Sequence, residues 1–265
     1  MARENHESSG AAGQDDGRGR GGKAVALHLG TSGWHYADWW SAFYPDEIKK
    51  KDALAYYSSR FDTVELNAPF YRMPTEKAVR NWAEAVPEGF LFAWKAWRYF
   101  THLKRLPVDE TALQLMESRI AILGEKAGPV LFQLHPGMKI DLERLAAFLS
   151  SLPRTRRYTI EFRHESWYEP AVFRLLEDHG CALCISDHAH APSPRVVTAD
   201  WAYIRNHGPS GNYRGHYSEE ALKDWAGWID QRRKEGIELF MFFNNTMRSA
   251  APKDIEQLES FLAPG

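Results

Sequence analysis

The stretch GPVLFQLHPGMKIDLERLAAFLSSLPRTRRYTIEFR (128–163) decides the fold. Its first part, PVLFQLH (129–135), is an apolar run of strand length without strict alternation, as expected of a parallel strand covered on both faces. A helical pattern follows from Asp141 to Leu149, opened by a residue type suited to cap a helix N-terminus. The last part, YTIEFR (158–163), reads as a second strand. Strand, helix and parallel strand within about thirty residues form a βαβ unit.

Working outward in both directions, the same unit recurs. Apolar runs lie at AVALHLG (24–30), DTVELN (62–67), FLFAWKA (90–96), CALCISD (181–187), WAYIRNH (201–207) and ELFMFFNN (238–245), which with the first two make eight candidate strands. Helices are expected at Asp46–Arg60, Thr75–Ala85, Asp109–Glu125, Pro170–His179, Ser218–Lys234 and Pro252–Leu262. Between the sixth and seventh runs, DHAHAPSPRVVTA (187–199) is too rich in proline for a full helix, so that crossover is expected to be a loop. Eight such units predict an α/β fold, a TIM-like (β/α)8 barrel, over residues 24–265 as a single domain. An open dinucleotide-binding sheet is the weaker alternative, because GTSGW (30–34) stands where a GxGxxG fingerprint would follow the first strand. Residues 1–23, rich in Gly, Arg and Ser, are expected to be a disordered tail.

Composition narrows the function classes. Lys and Arg number 33 against 35 Asp and Glu, a formal charge of −2, which argues against bulk attraction to nucleic acid or an anionic membrane. No apolar run approaches the ~20 residues needed to span a bilayer, and with no apolar leader the cytoplasm is the expected compartment. Nothing in the sequence sets an oligomeric state. The two cysteines, Cys181 and Cys184, form a CxxC, but residues three apart on a strand face opposite sides. Two buried structural thiols are expected.

The chemistry gathers at the C-terminal ends of the strand runs, where barrels of this kind place their active sites. Those ends carry Glu65 and Asn67, Lys95, Gln133 and His135, Glu161 and Arg163, Asp187, Arg205 and His207, and Asn244 and Asn245. Charge inside an apolar strand is costly unless paired or functional. Pleat parity puts Glu65 with Asn67, Glu161 with Arg163, and Tyr203 with Arg205 and His207 on shared faces, so the sets can converge in the barrel mouth. The loops beyond add aromatics and further polar groups. Trp39, Phe43 and Phe70 are expected to pack, whereas Trp34, His35, Tyr71, Arg72, His102 and Trp167 are ligand candidates.

These motifs resemble the domain-of-unknown-function 72 family, the YecE-like proteins. The resemblance runs from about Leu27 to Leu262 through GTSGW with Phe43–Pro45, Val64–Pro74, Lys95–His102, Gly128–Leu134, Glu161–Trp167, Tyr203–Gly208 and Phe242–Thr246, in that order. It implies a TIM-like barrel and brings no established reaction, so no catalytic residue carries over from it. On fold grounds, members have been likened to barrels that process sugars or abasic DNA. Two departures stand in mouth loops: Ser41 replaces a frequent Gly, and Ala68-Pro69 replaces a small-polar pair.

Three functions compete. The first is an enzyme, a hydrolase or lyase working by acid/base chemistry on a small anionic or sugar-like ligand. In it Lys95, Arg163 and Arg205 neutralise phosphate or carboxylate, and Glu65, Glu161, Asp187 and His207 act as acids and bases. Asn67, Gln133 and Asn244 complete the binding surface, and no cofactor is expected. The second is a barrel using a divalent metal, as in endonuclease IV. Against it, three cations share the mouth and no His/Glu cluster lies on a strand end. The third is a nucleic-acid-binding barrel without catalysis.

Overall fold

The computed structural model describes residues 25–262, so the tail expected over 1–23 lies outside the described residues. Eight parallel strands close into a barrel in sequence order. They are β1 (Leu27–Ser32), β2 (Thr63–Leu66), β3 (Leu91–Lys95), β4 (Ala127–Gln133), β5 (Tyr158–Glu161), β6 (Ala182–Ser186), β7 (Trp201–Asn206) and β8 (Glu238–Phe243). β8 pairs back onto β1 with Leu27 beside Leu239 and Thr31 beside Phe243. Each strand matches a predicted run, with β1 reaching two residues further than its apolar letters.

The helices are α1 (Ala53–Ser58), α2 (Ala68–Tyr71), α3 (Glu76–Glu84), α4 (Glu110–Ile120), α5 (Leu142–Ser151), α6 (Pro170–Asp178), α7 (Glu219–Lys234) and α8 (Ala250–Glu259). Four of them start where their capping residues stand. Thr75, Asp109, Asp141 and Ser218 each accept, through a side-chain oxygen, the backbone N–H three residues on. No helix joins β6 to β7, as the prolines dictate. The helix expected from Asp46 begins instead near Lys50, because Pro45–Ile48 closes a turn and Lys49 is extended. Among the described residues no helix is long and apolar enough to cross a membrane.

Two separate apolar cores follow from strand alternation. Outward residues such as Val64, Phe92, Val130, Phe132, Ile160 and Ile204 pack under the helices. Inward residues Ala93, Leu131, Ala182, Cys184, Trp201, Tyr203, Phe240 and Phe242 fill the barrel itself. The two cysteines divide between these cores, Cys181 outside and Cys184 inside, both as free, buried thiols. Gly30 sits on the inward face, where an added Cβ would lie 2.2 Å from the Thr63 carbonyl oxygen. Only glycine lets β1 and β2 approach there.

The N-terminal end of the barrel is closed by paired charge. His28 bridges Asp62 (2.8 Å) and Glu238 (3.1 Å), and Arg157 reaches Glu238 at 2.7 Å. At the opposite end, the Trp39 indole N–H donates to the Thr246 carbonyl at 2.7 Å and ties the first loop to the last. Ser41, in that first loop, has φ of +62°, a left-handed geometry that glycine adopts without cost.

Candidate functional site at the barrel mouth

Inward residues at the C-terminal ends of the strands converge on one buried network. Arg205 on β7 is its centre and is fully buried. Its guanidinium donates to both oxygens of Glu65 on β2, at 2.9 Å from Nε and 2.8 Å from Nη2, and to Glu161 Oε2 on β5 at 2.7 Å. Ser32 Oγ and the Tyr203 hydroxyl donate the remaining bonds to Glu65, at 2.8 and 2.7 Å. Glu161 Oε1 takes Arg163 Nη2 at 2.7 Å and Ser186 Oγ at 3.3 Å.

All four carboxylate oxygens are therefore engaged. Burial opposes their ionisation, yet for Glu65 the charge of Arg205, then of Lys95, holds the carboxyl below the ordinary range. For Glu161 burial is again outweighed, by Arg163 and then Arg205. Both groups are fixed anions whose lone pairs are taken. That makes them poor proton carriers and good holders of arginine.

His207 lies one residue beyond β7. Its Nε2 sits 3.2 Å from Arg205 Nη1 and 3.3 Å from Arg163 Nη2, both of which can only donate. Nε2 must then be the acceptor, and the ring proton belongs on Nδ1, which faces Asp187 and Ser186 at 3.3 Å each. Burial, then Arg205, lowers the pKa of this imidazole despite the Asp187 hydrogen bond, so it is neutral. Asp187 is turned away from the barrel axis. It accepts the His207 backbone N–H and the Tyr217 hydroxyl, so it orients His207 rather than facing a ligand.

Lys95 differs from every group so far. It ends β3 with 8% of its surface exposed. Among the described residues its ammonium has neither a hydrogen bond nor an ion pair within 4 Å, and it lies over the Phe70 ring, 4.4 Å from Nζ to centroid. Burial and then the charge of Arg205 pull its pKa from 10.5 down to about 7, against the pull of Glu65 and Glu161. The one-turn helix α2 places that ring. Pro69 starts it, Phe70 is turned inward, and Tyr71 is left 68% exposed. Arg163 is also incompletely used. Nη1 reaches the Tyr213 hydroxyl at 3.4 Å and Nη2 reaches Gln133 Oε1 at 3.2 Å, but the buried Nε has no partner.

A histidine rim surrounds this opening. His102 lies 5.0 Å from Phe70 and 5.2 Å from His135 between ring centroids, and Thr101 Oγ1 is 2.8 Å from its Nδ1. Burial, then His135 and Lys95, lowers its pKa to about 4. His188 packs edge-on against His207 at 5.2 Å, and burial, then Arg163, brings it to about 4 as well. His102 and His188 are thus neutral at pH 7.

Of the residues expected from sequence, the barrel brings together Glu65, Lys95, Gln133, Glu161, Arg163, Arg205, His207 and, behind them, Asp187. Asn67 and Asn244 are half-buried at the ends of β2 and β8, and Trp34 is half-buried against Trp82. His35, Tyr71 and Arg72 are exposed on the surrounding loops. Trp167 is a correction. It is fully buried, stacks on Phe162 at 4.7 Å and donates its indole N–H to the Met138 carbonyl at 2.7 Å, so it is a core residue with no ligand-facing surface. Glu65 and Glu161, expected as acid/base candidates, are both ion-paired with arginine. Ser32, Ser186 and Tyr213 join the site without having been singled out, and His188 joins it from the DHAHAP loop. Ser32 and Ser186 share the inward parity of known members, a signal that was there to be read. A neighbouring cavity of about 510 Å³ lies between the loops after β7 and β8, lined by Arg214, Gly215, His216, Met247, Arg248 and Ala250.

Comparison with known proteins places these features in a family. A family model described as a protein of unknown function, DUF72, matches residues 28–264. The UPF0759 protein YunF of Bacillus subtilis is 24% identical over 89% of this chain and 94% of its own length. The UPF0759 protein YecE of Escherichia coli is 26% identical, but the match spans only 57% of that protein. Among solved structures, a DUF72 family protein of Thermotoga maritima superposes with a TM-score of 0.79 at 26% identity, covering 88% of this chain and 99% of its own. One from Enterococcus faecalis does so at 0.76 and 21% identity, over 90% of this chain and 96% of its own.

Proposed function

The chain belongs to the DUF72 family, whose function is described as unknown, and from that premise and the mouth geometry we propose that it is an enzyme. Its substrate is a small anionic molecule, phosphorylated or carboxylated and oxygen-rich in the manner of a sugar. Its reaction is a lyase-type proton transfer in which Lys95 is the working acid and base. The observation that carries this reading is the contrast between Lys95 and its neighbours. Every oxygen of Glu65 and Glu161 is engaged, whereas the Lys95 amine has no acceptor among the described residues and a pKa of about 7, the value at which a proton carrier works best near neutral pH.

Arg163, with its unpartnered Nε, anchors the anionic end of the substrate by charge-assisted hydrogen bonds. His102 is neutral and serves as the second proton carrier. The network around Arg205 fixes the positions of these groups without taking part in proton transfer. Glycoside hydrolysis by paired carboxylates is disfavoured, since one would have to be a protonated acid and both are held ionised by arginine. The donor set fits a resident metal poorly for the same reason. Among the described residues no group of three or more His, Cys, Asp or Glu is arranged to hold one, and the proposed chemistry uses no cofactor.

Thermal unfolding with a panel of anions tests the reading: inorganic phosphate, citrate, pyruvate and dihydroxyacetone phosphate, each at matched ionic strength. At least one should raise Tm saturably, with stabilisation of about 2.7 kcal/mol at a hundredfold excess over Kd. That shift should shrink in Arg163→Gln and in Lys95→Met. A panel that acts no differently from chloride, or a shift indifferent to both substitutions, would remove the proposed ligand class and site.

A further inference from the structure

We propose that the Lys95 amine is a covalent nucleophile, which forms an imine with the carbonyl carbon of a small substrate bearing a carboxylate or phosphate. This inference deepens the enzyme reading above and rests on it.

Three features of the mouth point to covalent work and not to charge neutralisation alone. First, the site has two buried carboxylates within electrostatic reach of Lys95, yet both are bound by arginine and neither pairs with the lysine. A lysine retained only for stability would be expected to take one of them, since an unpaired buried ammonium is destabilising. Second, the groups around it leave a large share of the amine unprotonated near neutral pH. Arg205 and Arg163 repel its proton, Glu65 and Glu161 attract it, burial is the largest influence, and the net result is a pKa of about 7. Desolvation beside another cation is a known way to make a lysine nucleophilic. Third, the amine stands at the C-terminal end of a barrel strand on the inward face, over the Phe70 ring, with a neutral imidazole at His102 and the cationic Arg163 both within electrostatic reach.

The steps balance without an outside oxidant or reductant. The Nζ lone pair attacks the carbonyl carbon, forming a C–N bond while the π electrons move to oxygen. A proton passes from nitrogen to that oxygen, giving a carbinolamine. A proton taken up from solvent then lands on that hydroxyl, water leaves as the nitrogen lone pair forms the C=N bond, and the resulting iminium carries the positive charge of the added proton. That charge accepts the electron pair when a neighbouring C–H or C–C bond breaks, which is the lyase step. The proton or electrophilic carbon fragment freed by that cleavage departs. The enamine left behind takes a proton from solvent at carbon to restore an iminium. Addition of one water then expels the product as a carbonyl, returning free Lys95 and releasing the proton taken up at dehydration. The Glu65–Arg205–Glu161 network stays ionised throughout.

Reductive trapping tests this on the full chain. Protein is incubated at pH 7.5 with pyruvate, with dihydroxyacetone phosphate, or with pyridoxal 5′-phosphate as a general anionic aldehyde. Borohydride is added, and peptides are mapped by mass spectrometry. The reduced adduct should sit on Lys95 and form roughly several hundredfold faster than on a lysine of ordinary pKa, since far more of its amine is unprotonated. Whichever of the first two probes labels it also tells carboxylate from phosphate recognition. Lys95→Arg should abolish the adduct, and a wild-type pH series, which needs no variant to fold, should give half-maximal Lys95 labelling near pH 7. Exposed lysines labelled while the Lys95 peptide stays unmodified with all three probes would overturn the inference. If the anions still raise Tm through Arg163 and Lys95 in that case, covalent chemistry falls while the acid/base reading stands. If they do not, both fall.

Discussion

Charged clusters close both ends of the barrel, and they are built differently. At the N-terminal end His28, Asp62, Glu238 and Arg157 each meet an opposite charge, and the carboxylates remain partly in solvent. At the C-terminal end Glu65, Glu161 and Arg205 are fully buried and mutually saturated, while Lys95 beside them has no partner and Arg163 keeps one unpartnered N–H. The first arrangement gives modest stabilisation and asks for nothing more. The second leaves two neighbouring cationic side chains incompletely paired among the described residues. Charge at a strand end is thus no sign of function by itself; incomplete pairing in a buried setting is the better sign.

The largest effect that could break this comparison belongs to Arg205. Arg205→Leu leaves Glu65 and Glu161 buried without their counter-ion and should cost about 3–5 kcal/mol or prevent folding, as read by urea unfolding. A loss below about 1 kcal/mol would mean that the network is not the anchor it is taken to be.

Lys95 should move stability the other way. Lys95→Met removes an unpaired buried charge and should raise stability by about 1–2 kcal/mol at pH 6. The pH dependence sharpens this. The folded protein holds Lys95 at about 7 against 10.5 for the free side chain, so between those values the unfolded chain binds more protons and stability rises with pH. The gap between variant and wild type should therefore be widest below pH 7 and close as pH climbs towards 10.5. A gap independent of pH would show that Lys95 is an ordinary ammonium.

The smallest effect belongs to the N-terminal cluster. His28→Gln should cost no more than about 1 kcal/mol. Burial works against protonation of His28, but its bonds to Asp62 and Glu238 outweigh it, and its pKa is raised above 6.5. Its contribution is present in full below the unfolded value and is lost as pH rises through the folded one. Unfolding curves of wild type and variant at pH 5.5 and 8.5 should converge at the higher pH. A larger penalty at pH 8.5 would reverse the assignment.

Much of this molecule was legible in its letters. The eight strand runs, the four capped helix starts and the helix-free DHAHAPSPRVVTA crossover all follow from local spacing and proline. Pleat parity likewise identified Glu65, Glu161, Arg163 and Arg205 as one inward set. Local pattern does not reveal which carboxylate meets which cation. Arg205 lies 140 residues from Glu65 and 44 from Glu161, and only closure of the barrel chooses between possible pairings. It is the pairing that leaves Lys95 alone. Trp167 was misplaced because the chain turns back after Arg163 and folds the ring under the helices, a reversal that no periodicity records. Ser32 was missed because Gly30-Thr31-Ser32 ends the apolar run while the strand continues.

The central claim is that Arg205 captures both carboxylates and so leaves Lys95 as an amine near neutral pH. Heteronuclear NMR of the full chain with isotope-labelled lysine follows each side-chain nitrogen through a pH titration, with Lys95→Met supplying the assignment. One lysine should titrate near 7, far below the 10.5 of a free side chain, and should vanish from the variant. A Lys95 resonance that titrates with the rest would contradict the account.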